Sequence, residues 1–337
     1  MSNQAAVFKE AKAPLSIEER PIPKPGADEI LVRNAAVATN PIDWKMQSTG
    51  YLVASYPTIL GSDIAGTVED VGSEVTHFKK GDRVTGFARV LSSKNPDHGA
   101  FQQYTILQES ASTKLPEFMS FEEGSILPMS IATAGAGLFL ALDIPRPPAK
   151  QQGGFLVWGA SSSVGSAVVQ ITKSLGYTVY AVCSPRHSAY VQKLGAHETF
   201  DYNDSSIVEN ITQSVKASNQ QIVMAYDAVG EKGSSPMCAE IISRFGGGKL
   251  GTTLPYPEDA TKPEGVETMN TFAARVTSDA QDFGRWLFNE WLEEALADKT
   301  YVPSPAIEKV EGGISAIQKA LDIHKKGLSG KKLVVTL

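Results

Sequence analysis

The feature that most constrains this chain is a short apolar run ending on a glycine-bounded serine loop. Phe155-Leu-Val-Trp158 leads into Gly159-Ala-Ser-Ser-Ser-Val-Gly165, and Val164, Ala167, Val168, Ile171 and Leu175 then recur at helical spacing. A run of this length fits a strand buried on both faces of a parallel sheet. The spacing that follows predicts a helix opening at the loop. Strand, glycine turn and helix in that order distinguish a dinucleotide loop from a chance pair of glycines. Glycine lets the backbone approach a pyrophosphate, and the helix amino terminus supplies free N–H groups and partial positive charge. The spacing is not G-x-G-x-x-G: Ser163 stands where a middle glycine would be. Ser161, Ser162, Ser163, Val164 and Gly165 are the expected phosphate contacts, the serines adding hydroxyl donors.

Residues 178–183 read as the second strand, which ends at Cys183-Ser-Pro-Arg-His187. Sites selective for NAD usually carry a carboxylate about 20 residues past the loop, on the ribose hydroxyls. No carboxylate stands at this strand end. The Ser184 hydroxyl and the Arg186 guanidinium suit a 2′-phosphate dianion, which a carboxylate would repel. The expected cofactor is therefore NADP(H), with Tyr202 a further residue to line the adenosine phosphate. Strands at 198–202, 222–227 and 249–254 alternate with helices at 207–215 and 237–245, a right-handed βαβ series and hence a doubly wound sheet.

The first third of the chain has a different character. Segments 29–39, 64–72, 82–87 and 100–107 read as strands between turn clusters at 80–82 and 95–99, as in a small β-barrel or sandwich. Ser120-Phe-Glu-Glu123 is a capping box, and helical patterning runs on from Ser130. An amphipathic helix is expected at 283–296, with Trp286 and Trp291 in the core. A helix at 314–324 precedes a terminal strand at 332–337, expected to return to the amino-terminal β domain. The domains are read as 1–125 with 277–337, and 126–276.

Composition removes several classes. A chain of 337 residues, 42% hydrophobic and 20% charged, fits a soluble protein of two domains. A net charge of −6 without a basic run argues against nucleic-acid binding. No apolar run has the length of a membrane span, and residues 1–10 lack the regions of a secretion signal. Cys183 and Cys238 are too few for a disulfide scaffold or a four-cysteine zinc site. They read as buried core residues in a reducing, cytoplasmic compartment.

The motifs in combination resemble the medium-chain dehydrogenase/reductase superfamily over essentially the full chain. Besides the serine loop, they are Asn40-Pro-Ile-Asp43, Gly61-Ser-Asp-Ile-Ala-Gly66, Gly81-Asp-Arg-Val84, Gly99-Ala-Phe-Gln-Gln-Tyr104 and Ser329-Gly-Lys-Lys332. The resemblance implies an α/β architecture, a GroES-like β-barrel catalytic domain plus a doubly wound Rossmann domain. Zinc-dependent members carry Cys at the position of Asn40 and Gly-His-Glu at Gly61-Ser62-Asp63. They also insert a four-cysteine loop in the region of 87–99, which here has no cysteine. No metal is therefore expected.

Residues 40–46 (NPIDWKM) and 128–135 (PMSIATAG), with the serine loop and Cys183-Ser-Pro185, resemble fungal trans-acting enoyl reductases of polyketide pathways and quinone oxidoreductases. That resemblance implies NADPH-dependent reduction of an activated carbon–carbon double bond in an α,β-unsaturated carbonyl or enoyl thioester. Under it Lys45 polarises the carbonyl or relays a proton, and Thr133 donates a hydroxyl near the nicotinamide. Asn40 positions the nicotinamide ribose or the substrate oxygen, and Tyr51 is a candidate acid. Asp43 is read as holding its turn; Asp63 and Asp227 are open between structure and function. The alternatives are an NADPH:quinone oxidoreductase and a non-catalytic NADPH-binding sensor or synthase-docking subunit. The expected partner is a small-molecule substrate, a carrier-bound acyl chain included. The chain is expected to be a monomer or a homodimer paired through 266–276.

Overall fold

The structure, a computed structural model, describes residues 2–337. It divides into two compact units: the chain up to Ala132 together with Ala274–Leu337, and Thr133–Ala273. The seams fall inside the helix Pro128–Gly135 and at Ala273/Ala274, not at 125/126 and 276/277. The first turn of that helix stays with the first unit because the Met129 N–H donates to the buried Asp63 carboxylate at 2.6 Å.

The Thr133–Ala273 unit holds six parallel strands. Their order is Glu198–Asp201, Thr178–Cys183, Gly154–Trp158, Ile222–Asp227, Gly248–Thr252 and Val266–Asn270. The chain leaves the third of these to one side and then crosses to the other, so the order reverses there. In a doubly wound sheet the binding crevice opens at the carboxyl ends beside that reversal. All five residues of Gly154–Trp158 are buried, as the apolar run required. The helix Ser163–Ser174 buries Ala167, Val168 and Ile171 against the sheet, each large side chain contributing about 1.5–3 kcal/mol. Only the first half of 266–276 is strand. After Asn270 the chain turns, and Ala273–Thr277 is a 3-10 helix.

The other unit is built around Glu29–Ala38. Its order is Ala306–Lys309, Lys331–Thr336, Glu29–Ala38, Asp63–Val71, Arg83–Phe87 and Ser112–Lys114, with Tyr104–Gln108 also paired to Glu29–Ala38. The terminal strand pairs Val334 with Ala38, as expected of a return to the β domain. A second sheet, Ser16–Arg20, Asn3–Phe8 and Thr58–Ile59, was not foreseen. Gly66 is required at the bulge where Asn34 and Ala36 face Gly66 and Ala65: a Cβ there would lie 2.1 Å from the Arg33 carbonyl oxygen.

Three expectations need correction. Residues 100–103 are not strand. The Gln102 side chain is wholly buried and donates to the Gly99 carbonyl at 2.8 Å while accepting from Asn3 Nδ2 at 2.9 Å, so the chain folds on itself before Tyr104–Gln108. The helix at 283–296 is three pieces, Gln281–Arg285, a π-helical Trp286–Leu292 and Glu293–Ala297. A π turn leaves carbonyls outside the usual ladder, and that of Phe288 accepts from Thr113 Oγ1 at 2.8 Å. Residues 121–141 form a helical run apolar and long enough to cross a bilayer, contrary to the reading of the sequence. Its apolar stretch is 89% buried, which is the environment of a core helix.

Candidate active site

Within the Thr133–Ala273 unit, the predicted cofactor residues other than Thr133 lie at the carboxyl ends of three neighbouring strands. Gly159 follows the central strand with φ +74°, a left-handed conformation that suits glycine. Gly165 lies so close to the loop that a Cβ on it would come within 2.2 Å of the Gly159 carbonyl oxygen. Ser162 caps the helix, its hydroxyl accepting the Gly165 N–H at 3.0 Å. Ser163 and Val164 open the first turn, where backbone N–H groups have no intrahelical acceptor. This is a cradle shaped for a diphosphate, and the residues present fit a dinucleotide.

Trp158 is in register with Val182, and Cys183 with Asp201. Ser184 and Arg186, just past the second strand, therefore stand beside Tyr202, just past the third. Arg186 is exposed and Tyr202 is about half exposed. Burial and the neighbouring Arg186 hold the His187 imidazole below its ordinary range. The sequence reading missed Asp201, a carboxylate at the same strand ends. Its Oδ1 is engaged by the Asn203 N–H and side-chain amide at 3.0 and 3.1 Å. The D-x-N spacing is the local signal that could have found this turn.

Asp227, left open by the sequence, is wholly buried and fully used. Its Oδ1 accepts from the Val229 and Gly230 N–H groups at 2.9 and 3.1 Å. Its Oδ2 accepts from Ser234 and Ser235 hydroxyls at 2.5 and 2.7 Å. It pins the loop whose Val229 side chain packs over Gly159. Cys183 and Cys238 are buried and unpaired, and burial raises both thiols above their ordinary range, as inert core residues require. Thr133 is nine-tenths buried in its helix.

In the other unit, Asn40, Asp63 and Lys332 form a closed buried triangle. Lys332 Nζ donates to Asn40 Oδ1 at 2.5 Å and sits 2.8 Å from Asp63 Oδ2, to which Asn40 Nδ2 donates at 2.9 Å. All three residues are at most 3% exposed. Both ends of the Asn40 amide are thus engaged within the protein, which alters its expected role. Its backbone N–H donates to Asp43 Oδ2 at 2.7 Å, so Asp43 holds the helix start as expected. That helix, Pro41–Thr49, carries Lys45, half-buried with its ammonium 5.7 Å from the Trp44 ring centre. Tyr51 follows the helix on a turn and is 62% exposed.

The donor set here does not suit a metal. Ser62 supplies a buried hydroxyl, Asn40 an amide already shared, and the one carboxylate of the triangle is neutralised by an ammonium. Among the described residues no group of three or more His, Cys, Asp or Glu is placed to hold a metal ion.

Two buried groups beside the triangle titrate in opposite senses. Burial, aided by the Asp63 charge, pushes the Asp43 carboxyl up to about 7. Burial, aided by Lys332, pushes His324 down to about 4, with its Nδ1 2.9 Å from Thr39 Oγ1. A carboxyl raised on folding makes the fold less stable as pH rises from its ordinary value through 7. A histidine depressed on folding makes it less stable as pH falls from about 6.5 towards 4. His324→Asn should remove the second effect alone, worth on the order of 3 kcal/mol near pH 4. Thermal melts between pH 7 and 4.5 should fall less steeply in the variant; identical slopes would rule the effect out.

Residues 26–117 match the alcohol dehydrogenase GroES-like domain. The chain is 37% identical to the trans-enoyl reductase tndF of Aspergillus flavipes, with 99% of each chain covered. It is 36% identical to the dehydrogenase pigH of Monascus ruber, with both chains fully covered. An alcohol dehydrogenase superfamily protein of Novosphingobium aromaticivorans superposes with a TM-score of 0.84 at 23% identity, with 99% of each chain covered. The chain belongs to the medium-chain dehydrogenase/reductase superfamily, a class of pyridine-nucleotide-dependent oxidoreductases.

Proposed function

We propose that this protein is a metal-free, NADPH-dependent reductase of an activated carbon–carbon double bond, in an α,β-unsaturated carbonyl or an enoyl thioester, carrier-bound acyl chains included. The observation that carries the reading is the convergence of the serine cradle, Ser184, Arg186 and Tyr202 at adjoining strand ends. The name of tndF, a trans-enoyl reductase, supports the substrate class. NADPH, when bound, supplies a hydride to the β-carbon. The first-turn amides of Ser163 and Val164 hold its diphosphate, and Arg186 with Ser184 binds the 2′-phosphate. Lys45 offers positive charge to the carbonyl oxygen on which charge develops, and Thr133 offers a hydroxyl donor. Tyr51 is the phenol available to return a proton to the α-carbon. Asn40 acts by fixing the start of the Lys45 helix. The Asn40–Asp63–Lys332 triangle supports the metal-free assignment.

Purified protein, freed of metal with a chelator, should consume NADPH in the presence of an enone or enoyl thioester. Turnover of quinones alone would move the assignment to a quinone oxidoreductase. Tight NADPH binding without turnover of either acceptor would make it a binding protein. Arg186→Ala should weaken NADPH by roughly 10-fold or more, one charge-assisted contact to phosphate, and leave NADH nearly unchanged. Equal losses for both cofactors would remove Arg186 from 2′-phosphate recognition.

A further inference from the structure

We propose that Lys332 is a positioning residue for the helix carrying Lys45, acting through Asp63 and Asn40; its link to turnover rests on the reductase reading above. Lys332 lies on the terminal strand beside Leu333, Val334 and Val335, all wholly buried, and is itself only 2% exposed. A buried ammonium is costly, and a buried ion pair is commonly no more stable than an apolar pair of the same volume. Its presence here is therefore better explained by what it orients. Lys332 faces Asn40 Oδ1, and Asp63 faces Asn40 Nδ2. A flipped amide would set its NH2 against the ammonium and its oxygen against the carboxylate, so only one orientation survives.

Asn40 immediately precedes the helix Pro41–Thr49, and Asp43 closes on its N–H from inside the first turn. Asp63 uses its other oxygen to hold the Met129 N–H. One ion pair thus fixes the first turns of two helices. Lys45 is two residues beyond Asp43 and inherits its placement from this anchor.

The test is the double substitution Lys332→Met with Asp63→Asn, which removes both members of the ion pair together. Amide exchange over residues 40–49 should quicken by roughly 10-fold or more. The kcat should fall by about 10-fold or more while the NADPH Kd stays within about 2-fold, and Lys332→Arg should retain most of the activity. Lys45→Ala should cost at least about 5-fold less in the double variant than in the parent, since the two changes act through one group. If the double variant does not fold, Lys332→Gln with Asp63→Asn, which keeps a polar pair in place of the ion pair, reads the same quantities. Unchanged exchange over 40–49, or strict additivity with Lys45→Ala, would overturn the proposal. Absence of turnover in the parent would instead sink the reductase reading, and the exchange measurement would still decide the anchor.

Discussion

Gly165→Val is expected to weaken NADPH binding by roughly 100-fold or more while the sheet remains folded. The glycine has no room for a side chain: a Cβ would meet the Gly159 carbonyl oxygen at 2.2 Å and Ala160 Cα at 2.8 Å. Both are backbone atoms, so relief requires the loop to separate from the helix start. The first-turn amides of Ser163 and Val164 then lose their aim. Two N–H bonds to a charged phosphate, at about 1.5–3 kcal/mol each, correspond to that loss. Titration by NADPH fluorescence, beside circular dichroism to confirm the fold, gives the measurement. A well-folded variant with the parental Kd would mean that the serine loop is not the phosphate site.

The second large effect is on stability. Asp227→Ala should lower it by about 3–5 kcal/mol, because two backbone N–H groups and two serine hydroxyls lose a buried acceptor together. At about 2–4 °C per kcal/mol, the thermal midpoint should drop by roughly 10 °C. Asp227→Asn keeps one carbonyl oxygen and should fall between the two. NADPH affinity should decline alongside, since Val229 no longer packs over Gly159. A midpoint within about 2 °C of the parent would show that solvent or neighbouring groups replace the carboxylate without cost.

Much of the cofactor half was legible before any coordinates. Period-two and period-3.6 patterns, a glycine pair and a serine cap are local signals, and the parallel order follows from alternation. The strand Ile222–Asp227 falls where the pattern put it, and Thr178–Cys183 likewise. Elsewhere local reading misled in identifiable ways. Segment 100–103 has strand composition, but Gln102 bonds within its own turn. Segment 283–296 has helical periodicity, but a π turn interrupts it. Asp201 ends the third strand, and only the parallel register sets it beside the end of the second, where the sequence places the ribose contacts.

The catalytic half was harder to read. In the sequence Lys332 only closes the Ser329-Gly-Lys-Lys332 motif and opens the terminal strand, and Asn40 reads as an amide that positions a ribose or a substrate oxygen. Their partnership spans 292 positions and exists only once the terminal strand lies against Glu29–Ala38. The loop from Gly159 to Gly165 carries its signals locally, in two glycines and the Ser162 cap, so sequence alone pointed to the cradle, while Val182 and Val229 hold it in place. Which polar groups leave water together is decided by packing between distant segments. Burial then sets whether a lysine is a solvated charge or a buried anchor. For Asn40, Asp63 and Lys332 that decision belonged to the tertiary structure.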